Sequence, residues 1–217
     1  KFTSTIQDVI VPDKGTAFTT SALADGLYFW RVRGIDSVGV NGTWSGYRSF
    51  TLDTVPPGTP QLTLPTEWAF ITTTAPTLGV KPVSEASRYC FQMAENPEFE
   101  NPVVNPSCEQ STTTVNWTVP AAAALRYSTY YWRAMAIDAA GNFSIPAAPR
   151  LLNLTLLQAP VDASFTTDQT PQFTWIAHPE AVEYRLQVAT SEIFEPESVI
   201  VIDQRLSDTS YLPGIDL

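Results

Sequence analysis

The fold of this chain is decided by the stretch Leu23-Ala-Asp-Gly-Leu-Tyr-Phe-Trp-Arg-Val-Arg-Gly-Ile-Asp36. The same pattern returns as Leu125-Arg-Tyr-Ser-Thr-Tyr-Tyr-Trp-Arg-Ala-Met-Ala-Ile-Asp138, and the matched Trp30 and Trp132 lie 102 residues apart. A fixed offset between similar segments indicates a repeated structural unit.

A second match relates Pro76-Thr-Leu-Gly-Val80 to Pro171-Gln-Phe-Thr-Trp175 at an offset of 95 residues, and it continues without a gap to Phe99 and Phe194. The chain is therefore an array of units of roughly a hundred residues. We expect one complete unit, residues 54–157, between two partial ones, residues 1–53 and 158–217.

Apolar residues alternate with a period of two, which predicts β-strands. In the first repeated stretch, Tyr28, Trp30 and Val32 point one way while Phe29 and Arg31 point the other. Helical patterns are almost absent. Many short strands bounded by Pro, Gly, Asn and Asp predict an all-β chain of tandem antiparallel β-sandwiches.

The Pro-rich stretch Thr54-Val-Pro-Pro-Gly-Thr-Pro60 predicts a short, stiff linker between the first two units. A sandwich that lacks strands leaves apolar faces and strand edges exposed. Because the first and last stretches overlap in pattern instead of complementing each other, we expect further repeats along the same polypeptide.

The net charge of the chain argues against some classes of binding partner. With 12 Lys+Arg against 22 Asp+Glu, the net charge is −10. Such a chain repels phosphate groups, so nucleic acid and anionic membranes are poor partners. No apolar run approaches the roughly 20 residues that span a bilayer, so no membrane span is expected in this segment.

Three stretches resemble bacterial extracellular fibronectin type III or related immunoglobulin-like tandem repeats: 28–36, 44–57 and 137–144. The resemblance implies that 28–34 forms strand F, that an Asp-x-x-Gly turn follows, and that 49–52 forms strand G. It places strands C′, E, F and G in residues 1–53, and strands A, B, C, C′ and E in 158–217.

The only cysteines are Cys90 and Cys108, both in the complete unit. Cys90 lies between inward-facing Tyr89 and Phe91, so we expect it to point outward and to form a disulfide on the exposed face of a hairpin. A disulfide favours an oxidising compartment.

Four asparagines begin Asn-x-Ser/Thr sequons: Asn41, Asn116, Asn142 and Asn153. The other three precede proline. The four sequons are candidate N-glycosylation sites. The alternative is that they are ordinary polar surface residues.

Trp68 has no tryptophan counterpart in the next repeat, where Ala163 stands at the matched position. It either packs between neighbouring domains or offers a platform for a sugar ring. Acidic residues cluster in the loop after strand C, as Glu95, Glu98 and Glu100 in one unit and as Glu192, Glu195 and Glu197 in the next. We interpret these loops as solvated, with calcium binding as the alternative; no other cofactor or metal is expected.

The sequence contains no recognisable set of catalytic residues, and the single histidine, His178, lies in a predicted turn. We therefore expect a non-enzymatic extracellular or cell-surface structural protein, a repeat array that forms or decorates a filament, sheath or stalk. Its partners would be neighbouring repeats or copies of itself. The alternatives are an adhesion or glycan-binding module, with glycans or cell-surface proteins as partners, and a spacer in a secreted carbohydrate-active enzyme.

Overall fold

The structure, a computed structural model, divides the chain into two compact units, Lys1–Val55 and Pro56–Leu217. It describes residues 6–12, 15–123, 125–178, 181–195 and 200–214. These residues form β-strands and loops, and the one helical element among them is a single 3-10 turn at Ala121–Ala123. None of the described residues belongs to a helix of the length and hydropathy that would cross a membrane.

The first unit contains one antiparallel strand pair, β1 (Gly26–Trp30) with β2 (Arg48–Leu52). The structure assigns no strand to residues 6–12 or 15–25, where the family resemblance implies strands C′ and E. Alternation gives Trp30 a definite face, but among the described residues of this unit no second sheet covers that face, and Trp30 is 49% exposed.

The second unit begins with a complete β-sandwich, which confirms the predicted fold class. Its two sheets have the orders β3-β5-β7 and β4-β9-β8-β6, and every pairing is antiparallel except that of β4 with β9. The strands are β3 (Leu62–Leu64), β4 (Ala69–Ile71), β5 (Thr77–Val80), β6 (Arg88–Ala94), β7 (Asn116–Thr118), β8 (Thr129–Ile137) and β9 (Arg150–Leu154).

The core of this sandwich lies between its two sheets. Leu78 of one sheet and Phe91, Met93 and Trp132 of the other are all 0% exposed and belong to one hydrophobic cluster. Tyr89, two residues before Phe91, is 4% exposed. The period-two prediction for β6 and β8 is therefore confirmed.

The rest of the second unit contains further strands. Two sheets are present, with the orders β10-β11-β14 and β12-β13. The strands are β10 (Leu157–Ala159), β11 (Phe173–Trp175), β12 (Tyr184–Ala189), β13 (Ile200–Leu206) and β14 (Ser210–Tyr211).

The repetition at 102 residues extends to individual contacts. In β1 and β2, Trp30 pairs with Arg48, and in β8 and β9, Trp132 pairs with Arg150. Backbone hydrogen bonds recur at the same offset: Asp36–Val40 as Asp138–Asn142, Gly34–Gly42 as Ala136–Ser144, and Val32–Ser45 as Ala134–Ala147.

The tyrosine that the family resemblance places before each tryptophan also makes the same contact twice. The hydroxyl of Tyr28 donates to the carbonyl of Ala24 at 2.6 Å, and that of Tyr130 donates to the carbonyl of Arg126 at 3.2 Å. Each tyrosine thus ties its strand to the preceding corner.

Individual contacts also recur at the offset of 95 residues. The Tyr89 hydroxyl accepts from the backbone N–H of Val83, and the Tyr184 hydroxyl accepts from that of His178, both at 2.9 Å. Strand pairings recur in the same way: Leu62–Val80 as Leu157–Trp175, and Leu64–Gly79 as Ala159–Thr174.

Arg150 connects the two sheets of the complete sandwich. From β9 its guanidinium donates to the carbonyl oxygens of Leu62 at 2.9 Å, Thr63 at 3.1 Å and Pro65 at 2.9 Å. These oxygens belong to β3 and the residue that follows it, in the opposite sheet. Arg48, the matched residue in the first unit, is exposed.

We expect Arg150→Ala to lower the free energy of unfolding of the second unit by about 3 kcal/mol, because three carbonyl oxygens lose a charged donor. Urea denaturation followed by far-UV circular dichroism measures the change. Arg48→Ala is the matched control and should change the same transition by less than about 0.5 kcal/mol. Equal effects of the two variants would contradict the assigned role.

Candidate functional site

The outer face of the β4-β9-β8-β6 sheet, which points away from the core, carries Cys90 on β6 and Asn153 on β9. A connection between β6 and β7, residues 95–115 and here called the outer loop, contacts the β6 and β8 side of this face. The side formed by β4, β9 and the start of β8 borders a groove.

The outer loop is anchored by polar side chains from the sheet. Gln92 donates from Nε2 to the carbonyl oxygens of Asn105 at 3.3 Å and Pro106 at 2.9 Å. Arg133 donates from Nε to Gln92 Oε1 at 2.9 Å, and its guanidinium lies 4.0 Å from the centre of the Phe99 ring. Phe99 is consequently only 6% exposed.

Asn105 holds the far end of the outer loop in shape. Its Nδ2 donates to the carbonyl oxygens of Phe91 at 3.1 Å and Gln110 at 3.3 Å, while its Oδ1 accepts from the Gln110 N–H at 3.1 Å. The side chain is nearly fully buried. A buried amide with partners for both of its ends fixes the loop backbone instead of destabilising it.

The predicted disulfide between Cys90 and Cys108 is present, with the two Cα atoms 5.4 Å apart. Cys90 lies on the face opposite to Phe91, as alternation requires, but the expectation that the bridge lies on an exposed face is wrong. Cys90 is 0% exposed and packs with Met135 and Ile137. The outer loop covers it, so the disulfide forms part of a second small core.

The next repeat has an ion pair where the complete unit has its disulfide. Arg185 and Asp203 stand 95 residues after Cys90 and Cys108. Arg185 donates from Nε to Asp203 Oδ1 at 2.8 Å and from Nη2 to Oδ2 at 2.5 Å. These hydrogen bonds, first among the causes, lower the pKa of Asp203 to about 2. The sequence comparison alone missed this exchange.

Phe70 and Asn153 border the groove on the open side. They are register partners in β4 and β9, and Asn153 is in turn the register partner of Thr129 in β8. The groove measures about 420 Å³, and Tyr127 and Thr155 also line it. No local sequence pattern predicts this groove, because β4 and β9 are far apart along the chain.

Trp68 lies just before β4; the residue is 64% exposed and its φ is 62°. Its backbone N–H donates to the carbonyl of Leu151 at 3.0 Å, and Glu67 accepts from the Leu151 N–H at 2.9 Å. The start of β4 is thus fixed on β9. The predicted domain or ligand contact of Trp68 stays a prediction.

The four sequon asparagines differ in their surroundings. Asn41 and Asn116 are exposed, while Asn142 and Asn153 are partly buried. Asn142 donates from Nδ2 to the carboxylate of Asp138 at 2.8 Å. Glycosylation of the four sites stays a prediction.

Asp138 closes the turn after β8. Its Oδ1 accepts from the backbone N–H groups of Gly141 at 2.7 Å and Asn142 at 2.9 Å, and the residue is 4% exposed. Burial raises the pKa of Asp138, but the hydrogen bonds, led by that from the Asn142 side chain, lower it by more, so the pKa lies below its ordinary value. Gly141 has a φ of 97°, which glycine adopts without strain. The repeated Asp-x-x-Gly motif is here a turn.

The described residues contain no cluster of three or more His, Cys, Asp or Glu side chains placed to hold a metal ion. Glu197, in the second acidic loop, lies outside the described residues. The alternative of calcium binding in these loops therefore stays a prediction.

No known protein family and no curated protein matches the sequence. Among solved structures, the chain is similar to the FN1–FN3 domains of chicken CNTN1, with a TM-score of 0.34 and 12% identity over 85% of this chain and 66% of that one. It is also similar to the α-L-rhamnosidase of Streptomyces avermitilis complexed with L-rhamnose, with a TM-score of 0.33 and 18% identity over 60% of this chain and 16% of that one. These TM-scores assign neither a family nor an activity, and the fold class rests on the strand pairings.

Replacing both cysteines, as Cys90→Ala with Cys108→Ala, should lower the free energy of unfolding by about 3 kcal/mol, since the bridge closes a loop between residues 18 apart. Urea denaturation of the oxidised wild type and the double variant measures this. Wild type kept in a strong thiol reductant should unfold at nearly the urea concentration of the variant. A variant as stable as the oxidised wild type would contradict the prediction.

We expect Arg185→Gln to raise the pKa of Asp203 from about 2 toward the ordinary aspartate value near 3.9, as NMR titration of the carboxyl carbon will show. Arg205→Gln is the control and should raise it less, because Arg205 contributes only a weaker charge interaction. Since folding lowers this pKa, the carboxylate stabilises the fold above about pH 4, and the contribution disappears as pH falls through about 2. An unchanged pKa in Arg185→Gln would contradict the assigned pairing.

Proposed function

We propose that this chain is part of a non-enzymatic extracellular structural protein, a repeat array that forms or decorates a cell-surface filament, sheath or stalk. The observation that supports this most directly is the recurrence of the same strand pairings and hydrogen bonds at two fixed offsets. Repeated units with matching internal contacts add length without changing the local structure, which is what an extended assembly requires.

The linker composition supports the same proposal. Residues 54–60 contain Pro56, Pro57 and Pro60, and proline restricts the backbone of the residues around it. A short, proline-rich connection behaves as a semi-rigid spacer between folded units. The partners in such an array are neighbouring repeats or other copies of the chain.

An extracellular or cell-surface location is supported by the disulfide. Cys90, buried beneath the outer loop, is bridged to the partly buried Cys108 of that loop, so the disulfide is part of the packing of the complete unit. Disulfides of this kind form and persist in oxidising compartments. Within this proposal the chain is a member of the bacterial extracellular fibronectin type III or immunoglobulin-like repeats that it resembles.

A second candidate function, adhesion or glycan binding, is favoured by two aromatic side chains. Trp68 is 64% exposed and Phe70 is 53% exposed, and they lie at the start and in the middle of the same strand region. Exposed aromatic rings with nearby polar groups are common in surfaces that recognise ligands.

Electron microscopy of surface material extracted from the source cells tests the leading proposal. We expect gold-labelled antibodies against this chain to mark filaments, a sheath or projections with a regular subunit spacing. Intact cells should also expose the chain to a reagent that does not cross membranes, such as an impermeant amine-reactive biotin.

Dispersed particles without periodicity would overturn the structural role. If those particles bind immobilised glycans, and Trp68→Ala removes that binding, the second candidate function is supported instead. Phe143→Ala provides the matched control, because Phe143 is also an exposed aromatic residue, 48% exposed, but lies in the turn after β8.

A further inference from the structure

The groove on the open side of the outer face places a sequon asparagine beside aromatic and hydroxyl groups. Phe70, Asn153 and Thr129 form a row across β4, β9 and β8, as their register pairings show. Asn153 begins the sequon Asn153-Leu-Thr155 and lines the groove, whose volume is about 420 Å³. It is a shallow depression that is open to solvent.

The amide of Asn153 is held in one orientation. Its Oδ1 accepts a hydrogen bond from Thr129 Oγ1 at 2.7 Å, so the amide oxygen faces β8. Among the described residues, no hydrogen bond engages Nδ2, the atom to which an N-linked sugar is attached. By contrast, the Nδ2 of Asn142 donates to Asp138.

The groove lining suits a sugar ring. Phe70 exposes 53% of its surface although its neighbour Ile71 packs against the core. Tyr127 supplies a second ring, and the hydroxyl groups of Thr129 and Thr155 lie along the same groove. A pyranose presents apolar C–H groups on its faces and hydroxyl groups at its rim. Aromatic side chains can pack against the C–H groups, and threonine hydroxyl groups can hydrogen-bond with the sugar hydroxyl groups.

We propose that Asn153 bears an N-linked glycan whose first sugar packs in this groove against Phe70 and Tyr127. The inference rests on the extracellular location proposed above, because glycan transfer requires passage through a compartment that contains the transferase. Of the four sequon asparagines, Asn153 is the one that lines this groove.

The modification is a glycosyl transfer from a lipid-diphosphate-linked oligosaccharide. The bond between Asn153 Nδ2 and the sugar C1 forms, and the bond between C1 and the phosphate oxygen breaks. The lipid diphosphate leaves with the electron pair, and one Nδ2 proton passes to a base of the transferase. No group is oxidised or reduced.

Mass spectrometry of the protein purified from its source organism tests the attachment. Trypsin releases residues 151–185, a peptide in which Asn153 is the sole asparagine. Treatment with peptide N-glycosidase in H₂¹⁸O should convert Asn153 to ¹⁸O-labelled aspartate in most copies. The peptide of residues 34–48, which contains Asn41 alone, shows in the same sample whether the chain has met a transferase at all.

An unmodified residue 151–185 peptide overturns the inference in every case. If the Asn41 peptide is glycosylated while the Asn153 peptide is not, the extracellular location stands and only the groove assignment fails. If neither is modified and the two cysteines are recovered as free thiols, the location proposed above fails with it.

A double-mutant cycle tests the packing of the sugar on the aromatic ring, using protein secreted from a glycosylating host. Thr155→Ala removes the sequon but keeps Asn153, and Phe70→Leu removes the ring but keeps an apolar side chain. In the glycosylated chain, Phe70→Leu should lower Tm by about 2–4 °C. In the Thr155→Ala background the same change should lower Tm by less than half as much.

Equal Tm shifts in the two backgrounds would overturn the packing of the sugar on Phe70. Asn41→Gln, which removes a sequon in the other unit, is the control for a general effect of glycan loss. It should leave the response to Phe70→Leu unchanged.

Discussion

The alternation of β8 is the constraint on which the rest of the complete unit depends. It sends Trp132, 0% exposed, into the core and Arg133 to the opposite face, so this strand requires a cover on both sides. The second sheet covers one side, and the outer loop, held through Gln92 and the ring of Phe99, covers the other. In the first unit the same alternation operates without a covering sheet among the described residues, and Trp30 is exposed. Alternation thus determines to which side of the strand each side chain points. Burial of that side chain also requires a second layer of structure that covers this side.

Strand patterns and the two repeat offsets were predictable from the sequence because both depend on local spacing. The outer loop was not, since its backbone turns at Phe99, Asn101, Asn105 and Cys108, which all have φ between 50° and 59°. Glycine usually marks such left-handed positions, and here none does. The groove was not predictable from the sequence for a different reason. Phe70 and Asn153 meet through the parallel pairing of β4 with β9, and a pairing between distant segments leaves no local periodicity.

The two repeats that are related by an offset of 95 residues share some contacts and differ in others. The contacts that recur are backbone pairings and the tyrosine hydroxyl bond of Tyr89 and Tyr184. The chemistry on the outer face changes, since Arg185 and Asp203 replace the two cysteines. In both repeats the two linked residues lie 18 positions apart in the sequence. In each repeat the fold therefore brings the two residues of the pair close together. They are joined by a disulfide in the complete unit and by an ion pair in the next repeat.

The two links differ in strength and in what they require. An exposed ion pair contributes about 0–1 kcal/mol and weakens as salt screens it, whereas a disulfide that closes a loop of this size contributes about 3 kcal/mol. Only the disulfide requires an oxidising environment. The complete unit, with the covalent link under its outer loop, therefore keeps its outer face fixed where the next repeat relies on solvent-exposed charges. Because the disulfide occupies the β6 side and the groove lies on the β4 side, a large group at Asn153 leaves that link undisturbed.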